Sequence, residues 1–155
     1  MSEQTTIRWE APGPYEVAFS TRRGGVSEGD FASLNLGVRT EDEPERVLEN
    51  RRRLCERAGL DPGRAALGRQ EHGARVHRAR AEGILDVSER RAGDGLWSDE
   101  ADQAMLVLSA DCVPLALARV GGERPALAVL HAGWRGLLAG IVANGAAALG
   151  GGRLA

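Results

Sequence analysis

Two residues that can do chemistry, Cys112 and His131, lie at the two ends of a segment with the pattern of a β-hairpin. Residues 113–119 and 124–131 are apolar runs that predict two strands, and Gly121-Gly122 between them is typical of a tight turn. With those two glycines as the loop, Cys112 lies directly opposite His131. Opposed residues have Cα atoms about 4.5–5.5 Å apart and side chains on one face. The spacing therefore predicts that a thiol and an imidazole meet at the open end of the hairpin.

A second histidine, His72, is a candidate for the same site. It lies in Q-E-H-G, beside a glycine at the end of a predicted strand over residues 65–70. One thiol and two imidazoles suit a catalytic zinc ion with one open position. The same groups suit a Cys–His nucleophile pair without metal, or a core thiol with two hydrogen-bonded histidines. Spacing alone favours the last of these three interpretations.

The remaining pattern predicts strands and helices that would position these groups. Strands are expected over residues 15–21, 75–79 and 105–109, and residues 44–58 read as the clearest helix. Pro44 suits a first helical turn and Gly59 a helix end, while the run Arg51-Arg52-Arg53 reads as a solvated face. After His131 the apolar spacing becomes helical, with a face formed by Trp134, Leu137, Leu138, Ile141, Val142 and Leu149.

Length and composition place the chain among ordinary globular proteins. Its 155 residues suit one domain over 1–155, and 43% are hydrophobic and 27% charged. The net charge of −2 gives no electrostatic case for binding nucleic acid or a membrane. Two cysteines make no disulfide framework, and no signal-peptide pattern is present. We therefore expect a protein of the reduced cytoplasm.

Six motif blocks, in order, resemble the laccase-domain family, also described as polyphenol oxidases. They are S-T-R-R-G-G-V-S with S-L-N-L-G, Q-E-H-G, D-G-L, A-D-C-V-P-L and H-A-G-W-R-G. The family contains bacterial purine nucleoside phosphorylases, some named peptidoglycan editing factor. The resemblance implies a mixed α/β (α+β) fold with α-β-β-α layers and mixed sheets. It also implies that His72, Cys112 and His131 bind zinc.

The resemblance further implies phosphorolysis of adenosine, inosine and 5′-methylthioadenosine, with adenosine deamination as a second activity. Arginines and glycines can bind a phosphate through guanidinium and backbone N–H groups, so several such residues are candidate substrate contacts. The candidates for phosphate or substrate binding are Arg22, Gly24, Gly25, Asn35, Gln70 and Arg135. Asp94 and Asp111 are candidate catalytic carboxylates that would move a proton or orient His72 or His131. For Asp94 in G-D-G, capping of a turn is an equal alternative.

Other functions remain open at this point. Copper follows from the family's older name, but one cysteine and two histidines cannot hold a centre of several coppers. A metal-free Cys–His amide hydrolase would fit the peptidoglycan-editing name, and an inactive zinc-binding module is a non-enzyme alternative. Family members continue beyond the position of Ala155, so we expect the C-terminal portion of the family fold to be missing here. An open sheet edge would then favour a homo-oligomer.

Overall fold

The computed structural model describes residues 6–85 and 90–155, and the remaining residues, 1–5 and 86–89, lie outside the described part. The single domain predicted over 1–155 stays a prediction. Within the described residues, the strands are β1 (Thr6–Trp9), β2 (Val17–Ser20), β3 (Ala66–Leu67), β4 (Val76–Arg78), β5 (Gly95–Ser98), β6 (Met105–Leu106), β7 (Val113–Ala118) and β8 (Leu127–Ala132). The helices there are α1 (Pro44–Ala58), α2 (Trp134–Leu138), α3 (Ile141–Ala148) and a 3-10 turn (Gly29–Phe31). None of these helices is long and apolar enough to cross a membrane.

The strands form one four-stranded sheet and two two-stranded sheets. The four-stranded sheet has the order β4-β5-β8-β7, in which β4 and β5 are parallel and the other pairs antiparallel. Strands β3 and β6 pair in parallel, and β1 and β2 pair as an antiparallel ribbon. The predicted α+β class with mixed sheets is confirmed.

Three apolar clusters stack these elements into layers. The first joins one face of the four-stranded sheet to α3, through Ala126, Ala128, Leu130, Ala132, Ile141 and Leu149. The second joins β3 and β6 to α1, through Cys55, Ala65, Leu67, Ile84 and Leu106. The third lies between the four-stranded sheet and the β3–β6 sheet, through Ala66, Ala79, Leu96, Met105 and Val129. The order is therefore helices, sheet, sheet, helix, as the family resemblance implied.

The hairpin register differs from the predicted one by two residues. His131 lies opposite Pro114, not Cys112, because Arg119 still pairs with Ala126 and the loop is wider than two glycines. In the predicted register Pro125 would face Ala118 in a hydrogen-bonded pair, and proline has no N–H to donate. A shift by an even number keeps side chains on their faces, so Cys112 is now the diagonal neighbour of His131.

Helix α1 begins and ends where the sequence predicts, at Pro44 and Ala58, and Gly59 ends it in the left-handed conformation at φ 70°. The prediction that Arg51-Arg52-Arg53 forms a solvated helix face is wrong for Arg51. Arg51 is only 2% exposed, and its guanidinium donates to the carbonyl oxygens of Leu36 and Ile84. Burial lowers the pKa of Arg51 to about 10, although the group stays charged at neutral pH.

The predicted helix after His131 is divided in two at Gly140, which adopts φ 88°. Only part of its expected apolar face enters the core, because α2 buries Gly136 and α3 buries Ile141 and Gly145. Ile141 and Leu149 are buried, whereas Leu138 is 82% exposed. The other members of the predicted face that are exposed are Trp134, Leu137 and Val142.

Candidate metal centre

The structure brings the three predicted ligands, His72, Cys112 and His131, together at one end of the four-stranded sheet. One ligand atom from each residue lies within 4.8 Å of the other two. His131 is buried near the end of β8, Cys112 immediately precedes β7, and His72 lies in the exposed turn before β4. The two imidazole rings meet edge to face, with their centroids 4.9 Å apart.

The donor set and its spacing fit a zinc ion. A tetrahedral zinc with bonds of 2.0–2.3 Å places neighbouring N and S ligand atoms roughly 3.4–3.7 Å apart. Atoms within 4.8 Å of one another therefore need to close by about 1 Å, which side-chain rotation can supply. One thiolate and two imidazoles also leave a fourth position open, as catalytic zinc sites do. A centre of several coppers would need more donors than this cluster holds.

A buried carboxylate, that of Asp94, ties two of the ligands together. Its Oδ1 accepts hydrogen bonds from His131 Nδ1 and from the backbone N–H of His72, both at 2.8 Å. The backbone N–H groups of Glu71 and Gly73 complete the set, at 3.1 Å and 2.9 Å from Oδ2. Asp94 therefore caps the Q-E-H-G turn and holds the ring of His131, while its predicted catalytic role stays a prediction.

Burial raises the pKa of the Asp94 carboxyl, but the hydrogen bonds from His131 and from the turn's backbone lower it by more. The net result is a pKa below the ordinary value of an aspartate, so Asp94 is ionised at neutral pH. An ionised Asp94 can only accept, which means that Nδ1 of His131 carries the proton. The atom of His131 that remains for a metal is Nε2.

Two glycines in H-A-G-W-R-G give the site room that the sequence analysis did not foresee. A β-carbon at Gly133 would lie 3.0 Å from the Sγ of Cys112 and 3.2 Å from a ring carbon of His72. A β-carbon at Gly136 would lie 2.7 Å from the carbonyl oxygen of Gly73, so α2 packs directly on the turn that holds His72. Gly136 is inside a helix, where glycine lowers stability by about 1 kcal/mol relative to alanine. A glycine at this helical position was therefore the sequence signal that a close backbone contact needs the space.

The expected anion-binding turn around Gly24 and Gly25 is taken up by internal hydrogen bonds. The N–H of Gly25 donates to Ser33 Oγ, and that of Val26 donates to Asn50 Oδ1. The next N–H group, of Ser27, donates to the carbonyl of Ser33. The N–H groups of residues 25–27 therefore bind Ser33 and Asn50 inside the protein, and a role of Gly24 and Gly25 in phosphate binding stays a prediction.

The other residues of that region belong to the same internal network. Arg22 donates from Nε to the carbonyl of Ala32 at 2.8 Å. Asn35 donates to Asp42 and Thr40, and its carbonyl accepts from the buried Asn50 of α1. Through Ser33 and Asn50, these contacts link Arg22, Gly25 and Asn35 to α1, and among the described residues none of these contacts reaches His72, Cys112 or His131. Their roles in substrate binding stay predictions.

Three further candidates are close to the predicted ligands in sequence. Gln70 is engaged on both sides of its amide, accepting from the N–H of Leu108 and donating to its carbonyl, each at 2.7 Å. Arg135 lies over the ring of Trp134 at 4.4 Å, on the exposed side of α2. Asp111 is exposed and directly precedes Cys112. Gln70 therefore aligns the strand end, while Arg135 and Asp111 remain accessible.

The chain's two cysteines provide a direct test of the centre. Cys112 is partly exposed, whereas Cys55 is fully buried, and burial raises the pKa of the Cys55 thiol. We expect one thiol of the metal-free native protein to react rapidly with a disulfide reagent, and two after unfolding. Saturating zinc should slow the native reaction at Cys112 by at least about tenfold, because a coordinated thiolate is shielded. A rate that zinc leaves unchanged would exclude Cys112 as a ligand.

Comparisons with known proteins cover most of this chain. The family described as multi-copper polyphenol oxidoreductase laccase matches residues 16–152. A purine nucleoside phosphorylase of Pseudomonas aeruginosa is 40% identical over 142 residues, which are 92% of this chain and 54% of that protein. Purine nucleoside phosphorylase YfiH of Escherichia coli is 37% identical over 142 residues, which cover 92% and 56%.

Solved structures agree with these matches. The crystal structure of YlmD from Geobacillus stearothermophilus superposes with a TM-score of 0.80 at 34% identity, covering 91% of this chain and 54% of that one. The chain therefore spans about half the length of the relatives it matches.

Proposed function

The chain belongs to the family described as multi-copper polyphenol oxidoreductase laccase, and we propose that its centre is a zinc site for phosphorolysis of purine nucleosides. The proposed substrates are adenosine, inosine and 5′-methylthioadenosine. The observation that carries the proposal is the convergence of His72, Cys112 and His131, with one ligand atom from each within 4.8 Å of the others. Relatives named purine nucleoside phosphorylase support the choice of reaction.

The reaction needs two kinds of help from the protein. A phosphate oxygen forms a bond to C1′ of the ribose while the bond from C1′ to the base nitrogen breaks, and the base leaves with that electron pair. The phosphate must be held, and the negative charge on the departing base must be neutralised by a proton or a cation. Zinc, when bound, would supply a Lewis acid for that charge.

We propose that two exposed residues close to the ligands in sequence give the remaining help. Arg135 is exposed two residues after Gly133, so its guanidinium is available to bind a phosphate. Asp111 is exposed beside Cys112, where its carboxylate would relay a proton from water to the departing base. Asp94 has no exposed surface and is saturated with hydrogen bonds, so Asp111 is the better candidate for proton transfer.

The test is to incubate the purified, zinc-loaded chain with adenosine and phosphate and to identify the products. Adenine together with ribose 1-phosphate, formed only when phosphate is present, is the expected result. Inosine would instead indicate deamination, a hydrolysis at C6 that also suits a zinc centre. A folded, zinc-loaded chain that forms none of these products would contradict both reactions and favour the inactive zinc-binding module.

Control reactions distinguish the zinc-dependent phosphorylase from a metal-free Cys–His amide hydrolase. A chelator should abolish turnover, and added zinc should restore it. Turnover of an amide substrate that survives the chelator and stops after alkylation of Cys112 would favour the Cys–His hydrolase.

A further inference from the structure

We infer that Asp94 is a positioning residue, whose single carboxylate assembles His72 and His131 for the metal before any metal arrives. The inference rests on the proposed metal centre. It separates Asp94 from the catalytic carboxylates, with which the sequence pattern had grouped it. Its basis is the set of hydrogen bonds around one fully buried side chain.

The carboxylate of Asp94 has no capacity left for a substrate. Its two oxygens receive four donors, namely one imidazole nitrogen and three successive backbone N–H groups of the Glu71-His72-Gly73 turn. A carboxylate offers about four lone-pair positions, so these donors saturate it. The side chain is 0% exposed, which also keeps a nucleoside out of contact. Asp94 therefore cannot act as the acid or base of the reaction.

The same contacts hold His131 from two sides. The side chain of Asp94 accepts from Nδ1, and its backbone carbonyl accepts from the N–H of His131 at 2.7 Å. The first contact selects the tautomer with a proton on Nδ1, and the second holds the backbone of β8 at the start of β5. Nε2 is thus the ring nitrogen that remains free to bind the metal.

His72 is held in a conformation that it would rarely adopt alone. Its φ is 62°, in the left-handed region that few non-glycine residues occupy. The three N–H groups of its turn converge on Asp94, which compensates for this cost. Because the conformation depends on the carboxylate, loss of Asp94 should release His72 and His131 together.

The decisive measurement is zinc affinity, determined by competition with a chelator for the wild-type chain and Asp94→Asn. Asparagine keeps the size, but one of its two terminal atoms is an NH₂ group, which cannot accept from the turn. We expect zinc affinity to fall about 10- to 100-fold, which is typical for loss of the group behind a ligating histidine. An affinity within twofold of the wild type would overturn the inference.

Asp111→Asn is the matched control, because Asp111 adjoins the ligand Cys112 but is exposed. Its zinc affinity should stay within twofold of the wild type, whatever happens to turnover. An equal loss in both variants would mean that net charge, and not positioning, sets the affinity, and would also overturn the inference.

A measurement on the wild-type chain keeps the inference testable even if Asp94→Asn does not fold. The chain has three histidines, so their ring nitrogens can be assigned by nitrogen-15 NMR. We expect Nδ1 of His131 to be protonated in the metal-free chain, and zinc to shift Nε2 alone. A zinc-dependent change at Nδ1, or a proton on Nε2 in the metal-free chain, would contradict the assignment.

The outcomes distinguish this inference from the proposed function. A wild-type chain that binds zinc through Nε2 of His131 but turns over no nucleoside would contradict the proposed function and leave the inference about Asp94 standing. A chain that binds no zinc would end both.

Discussion

Replacing Cys112 by alanine should remove both zinc binding and nucleoside turnover. Closed four-ligand zinc sites bind with about 10–16 kcal/mol, so one ligand accounts for roughly 2.5–4 kcal/mol. Loss of the thiolate should therefore weaken zinc binding by roughly 10²–10³-fold, because 1.4 kcal/mol is tenfold. The measurements are zinc content after dialysis and phosphate-dependent release of adenine.

Cys55→Ala is the matched control for this variant, since it removes the chain's other thiol. Cys55 is fully buried in the cluster between α1 and the β3–β6 sheet. Its loss should cost about 1 kcal/mol of unfolding free energy through a small cavity, with zinc content unchanged. If Cys112→Ala keeps the wild-type zinc content, the His72-Cys112-His131 cluster is not the metal centre. If the wild type holds no zinc and Cys112→Ala is still inactive, the nucleophilic Cys–His pair is supported instead.

The second large effect is expected from Gly136→Ala. The new β-carbon would lie 2.7 Å from the carbonyl oxygen of Gly73, and a backbone atom cannot move aside by changing rotamer. Overpacking of this kind costs typically about 1–3 kcal/mol, which exceeds the gain of about 1 kcal/mol from putting alanine into a helix. Since Gly73 follows His72 directly, zinc affinity should fall together with the unfolding free energy. Urea unfolding and chelator competition measure the two effects.

Gly121→Ala is the control glycine for this prediction. The nearest atom to its new β-carbon would be a backbone nitrogen of Arg153 at 3.9 Å, an ordinary contact. Its unfolding free energy should stay within about 0.5 kcal/mol of the wild type. If Gly136→Ala is as stable as Gly121→Ala and binds zinc equally well, α2 does not restrain the His72 turn.

Local signals were enough to predict much of this fold. Helix α1 was predicted with its observed ends, because a proline near the start and a glycine after the end act within one turn. The apolar run of β8 and the change to helical spacing after His131 were likewise readable from neighbouring residues. Family motifs named the three ligands, and the structure brings those residues together.

Features that depend on distant contacts were not readable in this way. The hairpin register was missed, although Pro125 carried a usable signal, because loop length was judged from two glycines alone. Arg51 was taken for a solvated residue, since its partners Leu36 and Ile84 are far away in sequence. The four donors that meet on Asp94 come from residues 71–73 and 131, which no local pattern links.

The sequence by itself determined which donors exist and which elements carry them. A thiol before β7, an imidazole near the end of β8 and another in a glycine turn are properties of residue type and local propensity. Only the tertiary structure decided that these donors share one point, that Asp94 holds two of them and that glycine leaves room at Gly133 and Gly136. The physical reason is that backbone propensity acts over a few residues, whereas a binding site is made by packing between elements that the chain separates.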